Sequence, residues 1–209
     1  RGFHALETML FDARAQTLGT ADYRCALVRT MTVDMATTVQ AIRAGWQGGH
    51  AEALRTAGAE GNALYPTGAD ALRTLFGAAE AGLEFNAAAR LGRPLGTIDR
   101  PRPERAEARR SGRSLRNVTV SVAAIGDLAL ILAEPAGPEV TEDVSAQLDR
   151  IAALAARIDD PTLAGLAKPQ GRVRVEALQS RLDELRVTLA QDVAPALGVA
   201  AGFNALDGD

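Results

Sequence analysis

Apolar residues recur along most of this chain at alternating steps of three and four positions, the spacing that places side chains on one face of an α-helix. One such stripe stops before Gly48-Gly49 and consists of Val28, Met31, Met35, Val39, Ile42 and Trp46. Another, near the end of the chain, consists of Val175, Leu178, Leu182, Leu185, Leu189 and Val193. Aromatic residues make up only 4% of the chain and strand-like alternation is absent, so the sequence predicts an all-α fold.

Prolines and glycines separate the predicted helices. The segment 93–103 contains three prolines and cannot continue a helix, so a connection or a domain boundary is expected there. A second break falls at 135–138, after which Thr141 is the expected N-cap of the next helix. Five or six amphipathic helices with short connections predict an antiparallel helical bundle.

Composition excludes some classes of function. A net charge of -3 with 23 lysines and arginines provides no basic field for nucleic acid. The longest apolar run, 118–133, is interrupted by Ser121 and Asp127 and is shorter than the roughly 20 residues of a membrane span, so it predicts a buried helix. The single cysteine, Cys25, excludes an internal disulfide and is expected to be a small core residue on a helix.

The first residues contain a candidate metal site. His4 and Glu7 are three positions apart, so on a helix both side chains lie on one face and can reach the same ion. The adjacent apolar residues are expected to hold that face near a core, and Gly2 would let another backbone or a ligand approach closely. Position 8 is Thr8, where a zincin peptidase needs a second histidine. By pattern alone, a histidine on a helix is more often a packed or surface residue than a metal ligand.

Two ligands cannot complete an iron coordination shell, which needs further oxygen donors. Glu80 and Glu84 lie four apart on one predicted helix face, with Glu80 following Phe76 toward the core. Glu84 is therefore a candidate for an additional ligand. The alternative is a solvated acidic face.

The run 109–114, Arg-Arg-Ser-Gly-Arg-Ser, gathers hydrogen-bond donors at a predicted helix start. Arginines and backbone N–H groups in this setting bind carboxylates or phosphates. The candidate residues for such an anion site are Arg110, Ser111 and Ser114. The alternative is a structural network in which Arg110 pairs with Glu107 or Asp99 and one of the two serines caps the helix.

The segment from Gly2 to Glu7 resembles the Gly-x-His-x-x-Glu signature of the imelysin family. The closing segment 201–209 resembles that family's C-terminal segment, and 90–116 resembles its subgroup in Gram-negative bacteria. The resemblance implies an all-α protein of two bundle-like halves, with the signature near the cleft between them. On this basis we expect 1–92 to be the remainder of a first helical bundle whose N-terminal part is missing, and 93–209 to be a second bundle.

The resemblance also implies export to the periplasm, often with a lipid anchor, and a role in bacterial iron uptake. It makes His4 and Glu7 the metal ligands and Gly2 the structural part of the motif. The chain begins at Arg1 without an initiator methionine or a leader, so we expect an upstream segment to have been removed, or to be supplied as a separate chain. The expected partners are a metal ion or iron chelate and envelope iron-transport components, and not nucleic acid.

Three functions remain open at this point. The favoured one is a non-enzymatic, periplasmic or envelope-anchored lipoprotein that binds iron, as Fe(II) or Fe(III), through His4 and Glu7. The second is a metallopeptidase, the activity under which the family is filed, in which the same pair holds zinc and Glu7 or Glu84 acts as base. The third is a solute-binding module whose halves clasp an organic ligand, with His4 merely hydrogen-bonded.

Overall fold

The computed structural model describes residues 2–199, which fold into helices without a β-strand in that range. This confirms the predicted all-α class. The helices are α1 (Gly2–Phe11), α2 (Ala21–Gly45), α3 (Ala51–Arg55), α4 (Gly68–Glu84), α5 (Arg93–Leu95), α6 (Ser114–Ala133), α7 (Pro138–Ala156), α8 (Pro169–Thr188) and α9 (Ala194–Ala196). Wider helical turns extend three of them, at Trp46–His50 after α2, Phe85–Gly92 after α4 and Leu189–Val193 after α8.

The described residues divide into two compact units. Unit 1 comprises 2–67 together with 110–112, and unit 2 comprises 68–109 together with 113–199. The boundary expected between positions 92 and 93 falls inside unit 2, where the wide turns after α4 lead directly into α5. The division into halves at that position stays a prediction.

Unit 2 is a four-helix bundle in which α4 and α7 each pack against both α6 and α8. The apolar stripe of α8 lies in the centre, and Leu178, Leu182 and Leu185 are all 0% exposed. Burying a leucine side chain contributes about 1.5–3 kcal/mol. The stripe predicted from the sequence therefore forms the centre of a real core, to which α4, α6 and α7 contribute further buried residues.

Helix α6 contains the apolar run 118–133, which the sequence predicted to be a buried helix. The stretch Ser114–Ala136 is long and apolar enough to cross a membrane by length and composition, a test that core helices of soluble proteins also pass. In the structure α6 buries Val118, Val122 and Leu132 against its neighbours, while Val120 and Ile131 are exposed. The expectation that the run is too short to span is wrong, but its packing in the bundle agrees with a core helix.

The start of α7 differs from the prediction. The helix begins at Pro138, with Gly137 at the N-cap in a positive-φ conformation (φ 98°). Thr141, the predicted cap, instead donates its hydroxyl hydrogen to the carbonyl of Gly137 inside the first turn. Proline is favoured at the first helical position because its missing N–H would have no partner there, and a start at Pro138 agrees with this preference.

Unit 1 has helices without a comparable core. Helix α2 begins after Thr20, whose hydroxyl accepts the N–H of Tyr23, and the helical path breaks at Gly49 (φ 145°), as the double glycine predicted. Neither α1 nor α2 contains a buried residue, and in the described part of unit 1 only Ala15 and Tyr65 are buried. Cys25 is exposed on α2, so its predicted place in a core is wrong. An arrangement of two bundle-like halves, 1–92 and 93–209, stays a prediction.

Candidate functional site

Helix α1 carries the signature residues. Gly2, its first residue, has φ 80°, and a Cβ built there would meet no atom within 4 Å. The positive φ accounts for a glycine at this position, and close approach of another backbone or a ligand stays a prediction. His4 is exposed, and its neighbour Phe3 is 73% exposed. The expected core beside this face is absent among residues 2–199.

Glu7 is half-buried and is bound by the turn at 110–112. Its Oε1 atom accepts the backbone N–H of Ser111 at 2.9 Å and the hydroxyl of the same serine at 3.1 Å. Both residues belong to unit 1, although 104 positions separate them in the sequence. Hydrogen bonds to an ionised carboxylate are among the stronger polar contacts in proteins. The turn therefore determines where the Glu7 carboxylate lies.

A second carboxylate, that of Asp12 directly after α1, also contacts the turn at 110–112. Asp12 accepts the Nε–H of Arg110 on Oδ2 at 2.6 Å, while Oδ1 accepts the backbone N–H of Arg14 and of Ala15. The hydrogen bond from Arg110, followed by those from the two backbone groups, lowers the pKa of the Asp12 carboxyl below its usual value. Asp12 was not predicted from the sequence, because nothing in its local pattern distinguishes it from a solvated residue at a helix end.

The donor-rich run at 109–114 thus binds carboxylates, but they are the chain's own. Its predicted structural network is wrong in detail, because Arg110 pairs with Asp12, and Glu107 pairs with Arg90 at 2.8 Å. Neither serine caps α6, which is preceded by Arg113 without a side-chain cap. Binding of an external anion by this run stays a prediction.

Ser114 lies apart from these contacts. It is the first residue of α6, belongs to unit 2 and is 3% exposed. Its hydroxyl is buried and makes no hydrogen bond within the described chain. A buried hydroxyl without a partner destabilises a fold slightly.

Glu84 also belongs to unit 2, where it forms an ion pair with Arg186 at 3.0 Å. Glu80, one turn earlier on α4, is buried as its position after Phe76 predicted. One of its oxygens lies 3.6 Å from the Nε of Arg186, and Oε1 has no hydrogen-bond partner within residues 2–199. Burial raises the pKa of the Glu80 carboxyl, against the opposing effect of the Arg186 charge.

A partly buried polar network around Asn86 and Arg90 in unit 2 was not predicted. Asn86 is 0% exposed and donates to the hydroxyl of Ser121 and to the carbonyl of Gly82. Arg90 donates to Asn86, to the carbonyl of Asn117 and to Glu107. These hydrogen bonds join α4, the wide turns after it, α6 and the segment 93–113, so the network serves the packing of the bundle.

An apolar groove of about 400 Å³ lies between α6 and α7 in unit 2. Val122, Gly126 and Leu148 line it, and the exposed carboxylates of Asp127 and Asp149 also lie along its wall. Its volume is within the range of small-molecule sites, which are mostly apolar with a few polar groups. The groove lies inside unit 2, so it does not test the hypothesis of an organic ligand clasped between two halves.

Metal-binding geometry is incomplete in the described residues. Over 2–199, no three side chains of histidine, cysteine, aspartate or glutamate cluster as a metal site. His4 and Glu7 supply an imidazole nitrogen and a carboxylate oxygen three positions apart on α1, which suits a transition metal. The pair therefore fits part of a coordination shell, to be completed by water, a chelator or other groups.

Comparison with known proteins identifies the family. The imelysin family (Peptidase_M75: Imelysin) matches residues 1–189. No curated protein and no solved structure matches this chain. The segment 201–209, which resembled the family's C-terminal segment, lies outside both this match and the described residues. The match includes the signature helix, the turn at 110–112 and nearly all of the bundle, and the chain belongs to the imelysin family.

Proposed function

We propose that this imelysin-family chain binds a transition-metal ion through His4 and Glu7 and serves in bacterial iron uptake. The observation that carries the proposal concerns the carboxylate of Glu7, one oxygen of which accepts two hydrogen bonds from Ser111. Glu7 lies on the same helix as His4, whose imidazole is exposed. A metal-ligating carboxylate is typically fixed by such hydrogen bonds. Iron, as Fe(II) or Fe(III), is the proposed ion, and zinc is the alternative.

Two protein ligands suit reversible binding. A site with an imidazole and one carboxylate leaves most coordination positions to water or to an organic chelator. Such a site exchanges its ion more readily than the closed four-ligand sites that hold structural zinc. The proposed cargo is therefore an iron ion or iron chelate that passes on to envelope iron-transport components, from a periplasmic or lipid-anchored protein.

The family's peptidase label supports a second candidate, a zinc-dependent hydrolase. Catalytic zinc is held by three protein ligands with a water in the fourth position. Here the zincin histidine is replaced by Thr8, whose hydroxyl donates to the carbonyl of His4. We therefore favour binding over hydrolysis, and release of peptides from a casein substrate with added zinc would reverse that preference.

Titration calorimetry tests the proposed function, with Fe(II) under anaerobic conditions, chelated Fe(III), and Zn(II). We expect His4→Gln and Glu7→Gln each to weaken iron binding by at least about tenfold, the loss of roughly 1.4 kcal/mol that one ligand supplies as a minimum. His50→Gln, a change at the other histidine of unit 1, is the matched control and should bind as the wild type does. Equal binding by all four proteins, or none by the wild type, would contradict the proposal.

A further inference from the structure

The two hydrogen bonds that Glu7 receives end on the same oxygen. The backbone N–H and the hydroxyl of Ser111 both donate to Oε1, at 2.9 and 3.1 Å. A carboxylate oxygen offers two lone pairs in the plane of the group. The two donors therefore occupy the acceptor capacity of Oε1, and Oε2 is the atom through which Glu7 can bind anything else.

The segment that holds Glu7 is itself fixed to α1 at a second point. Arg110, directly before Ser111, donates to Asp12 just after the C-terminal end of α1. Two contacts five positions apart, at Glu7 and at Asp12, join the helix to the turn. A carboxylate oriented by such neighbours loses little rotamer freedom when it takes up an ion.

We propose that Ser111 is a positioning residue that restricts Glu7 to coordination through a single oxygen, and that it thereby selects a transition-metal ion over calcium. The inference rests on the proposed function. Calcium takes six to eight oxygen ligands and commonly uses both oxygens of a carboxylate. Iron and zinc accept an imidazole nitrogen and one carboxylate oxygen at short distances. Occupation of Oε1 by Ser111 removes the two-oxygen mode that calcium commonly uses and leaves the one-oxygen mode that suits iron and zinc.

The decisive variant is Ser111→Ala, which removes the hydroxyl donor and keeps the backbone N–H. We expect its affinity for Fe(II) to fall about 10- to 100-fold, the usual effect of losing a group that orients a ligand. The preference for Fe(II) over Ca(II), measured by calorimetry with each ion, should fall with it. Ser111→Thr retains a hydroxyl and should restore both values to within about threefold of the wild type, on the same principle.

Infrared difference spectra of metal-loaded against metal-free protein report the binding mode directly. The separation between the asymmetric and symmetric carboxylate stretches is wide for coordination through one oxygen and narrow for coordination through two. Glu7→Gln identifies the bands of this carboxylate. We expect a wide separation in the wild type and a narrower one in Ser111→Ala, a change that a merely structural role of the serine would not produce.

Ser114→Ala is the matched control, because it removes a serine hydroxyl three positions away that makes no hydrogen bond within the described chain. It should leave affinity, ion preference and band separation unchanged. If Ser111→Ala lowers the unfolding temperature so far that it is not folded during the assay, Ser111→Cys, with a weaker donor, takes its place and should show a smaller change of the same sign.

The outcomes separate the two proposals. If the wild type binds iron and Ser111→Ala binds it equally well with the same band separation, the positioning role is overturned and the proposed function stands. If the wild type binds no metal, the proposed function fails and this inference fails with it. If Ser114→Ala weakens binding as much as Ser111→Ala, the effect is not specific to Glu7, and the positioning role is overturned.

Discussion

Helices α2 and α8 carry apolar stripes of the same spacing, but only one of the two stripes is buried. On α8 of unit 2, Leu182 is 0% exposed, whereas on α2 of unit 1 Ile42 is 57% exposed. Of the sixteen large hydrophobic residues that are exposed in the described chain, ten lie in 2–67 and six in 68–199. Periodicity identifies the face of a helix that favours burial. Whether that face is buried depends on the other helices that pack against it, and within residues 2–199 they bury it on α8 but not on α2.

The largest expected difference between the units is in the free energy of unfolding that is lost when a large apolar side chain is shortened to alanine. Leu182→Ala should lower the free energy of unfolding by about 2–5 kcal/mol, because it leaves a cavity in a closed core. Ile42→Ala on α2 should change it by less than about 0.5 kcal/mol, as for an exposed position. Urea denaturation followed by circular dichroism measures both. A loss of more than about 2 kcal/mol in Ile42→Ala, which is the lower end of the range for core positions, would contradict the exposure of this residue.

Glycine substitutions compare the two units at the backbone. A Cβ at Gly171 in α8 would lie 2.3 Å from the carbonyl oxygen of Gly165, so Gly171→Ala should destabilise unit 2 by about 1–3 kcal/mol through overpacking. A Cβ at Gly45 in α2 would meet no atom within 4 Å, and Gly45→Ala should stabilise its helix by up to about 1 kcal/mol. Thermal melts of both variants test the pair, and effects of the same sign would contradict it.

A smaller and pH-dependent effect is expected from the buried carboxyl of unit 2. Burial raises the pKa of Glu80, so the folded state keeps a proton that the unfolded state releases, and the free energy of unfolding falls as pH rises through that window. Glu80→Gln should remove this penalty and raise stability at neutral pH by less than about 1 kcal/mol, since Arg186 keeps its ion pair with Glu84.

The measurement for Glu80→Gln is a series of unfolding curves between acidic and neutral pH. The difference between variant and wild type should be largest at neutral pH and should shrink toward the pKa of an unfolded glutamate, about 4.3. A variant that is less stable at neutral pH would mean that the charged form of Glu80 is favoured in the fold.

The smallest effect is expected at the start of α6. Ser114→Ala removes a buried hydroxyl that makes no hydrogen bond within residues 2–199, so stability should be unchanged or rise by a few tenths of a kcal/mol, about 0.5 at most. Differential scanning calorimetry can measure such a change. A fall of more than about 1 kcal/mol would mean that the hydroxyl has a partner in solution.

Much of the fold could be predicted because helix formation is governed by local spacing. The stripes of α2 and α8 predicted both helices, and Gly48-Gly49 predicted the break after α2. The start of α7 could not be chosen by the same means, since Pro138 and Thr141 both suit a helix start and the choice depends on how the chain enters the bundle.

The candidate site was predictable residue by residue but not as an arrangement. The sequence predicted Glu7 as a metal ligand, and it predicted Arg110 and Ser111 as hydrogen-bond donors to a carboxylate or phosphate. That these groups bind one another could not be inferred, because the contact between Glu7 and Ser111 joins segments 104 positions apart. The exposure of His4 could not be predicted for the same reason, because the apolar residues beside it do not show whether distant segments pack over them.

The most direct test of the account is to locate the metal along the chain. Amide NMR signals recorded with and without Co(II), a paramagnetic substitute for Fe(II), report proximity to the ion residue by residue. The account predicts broadening centred on 3–8 and on Ser111. Broadening centred on Glu80 and Glu84, or none at stoichiometric Co(II), would contradict it.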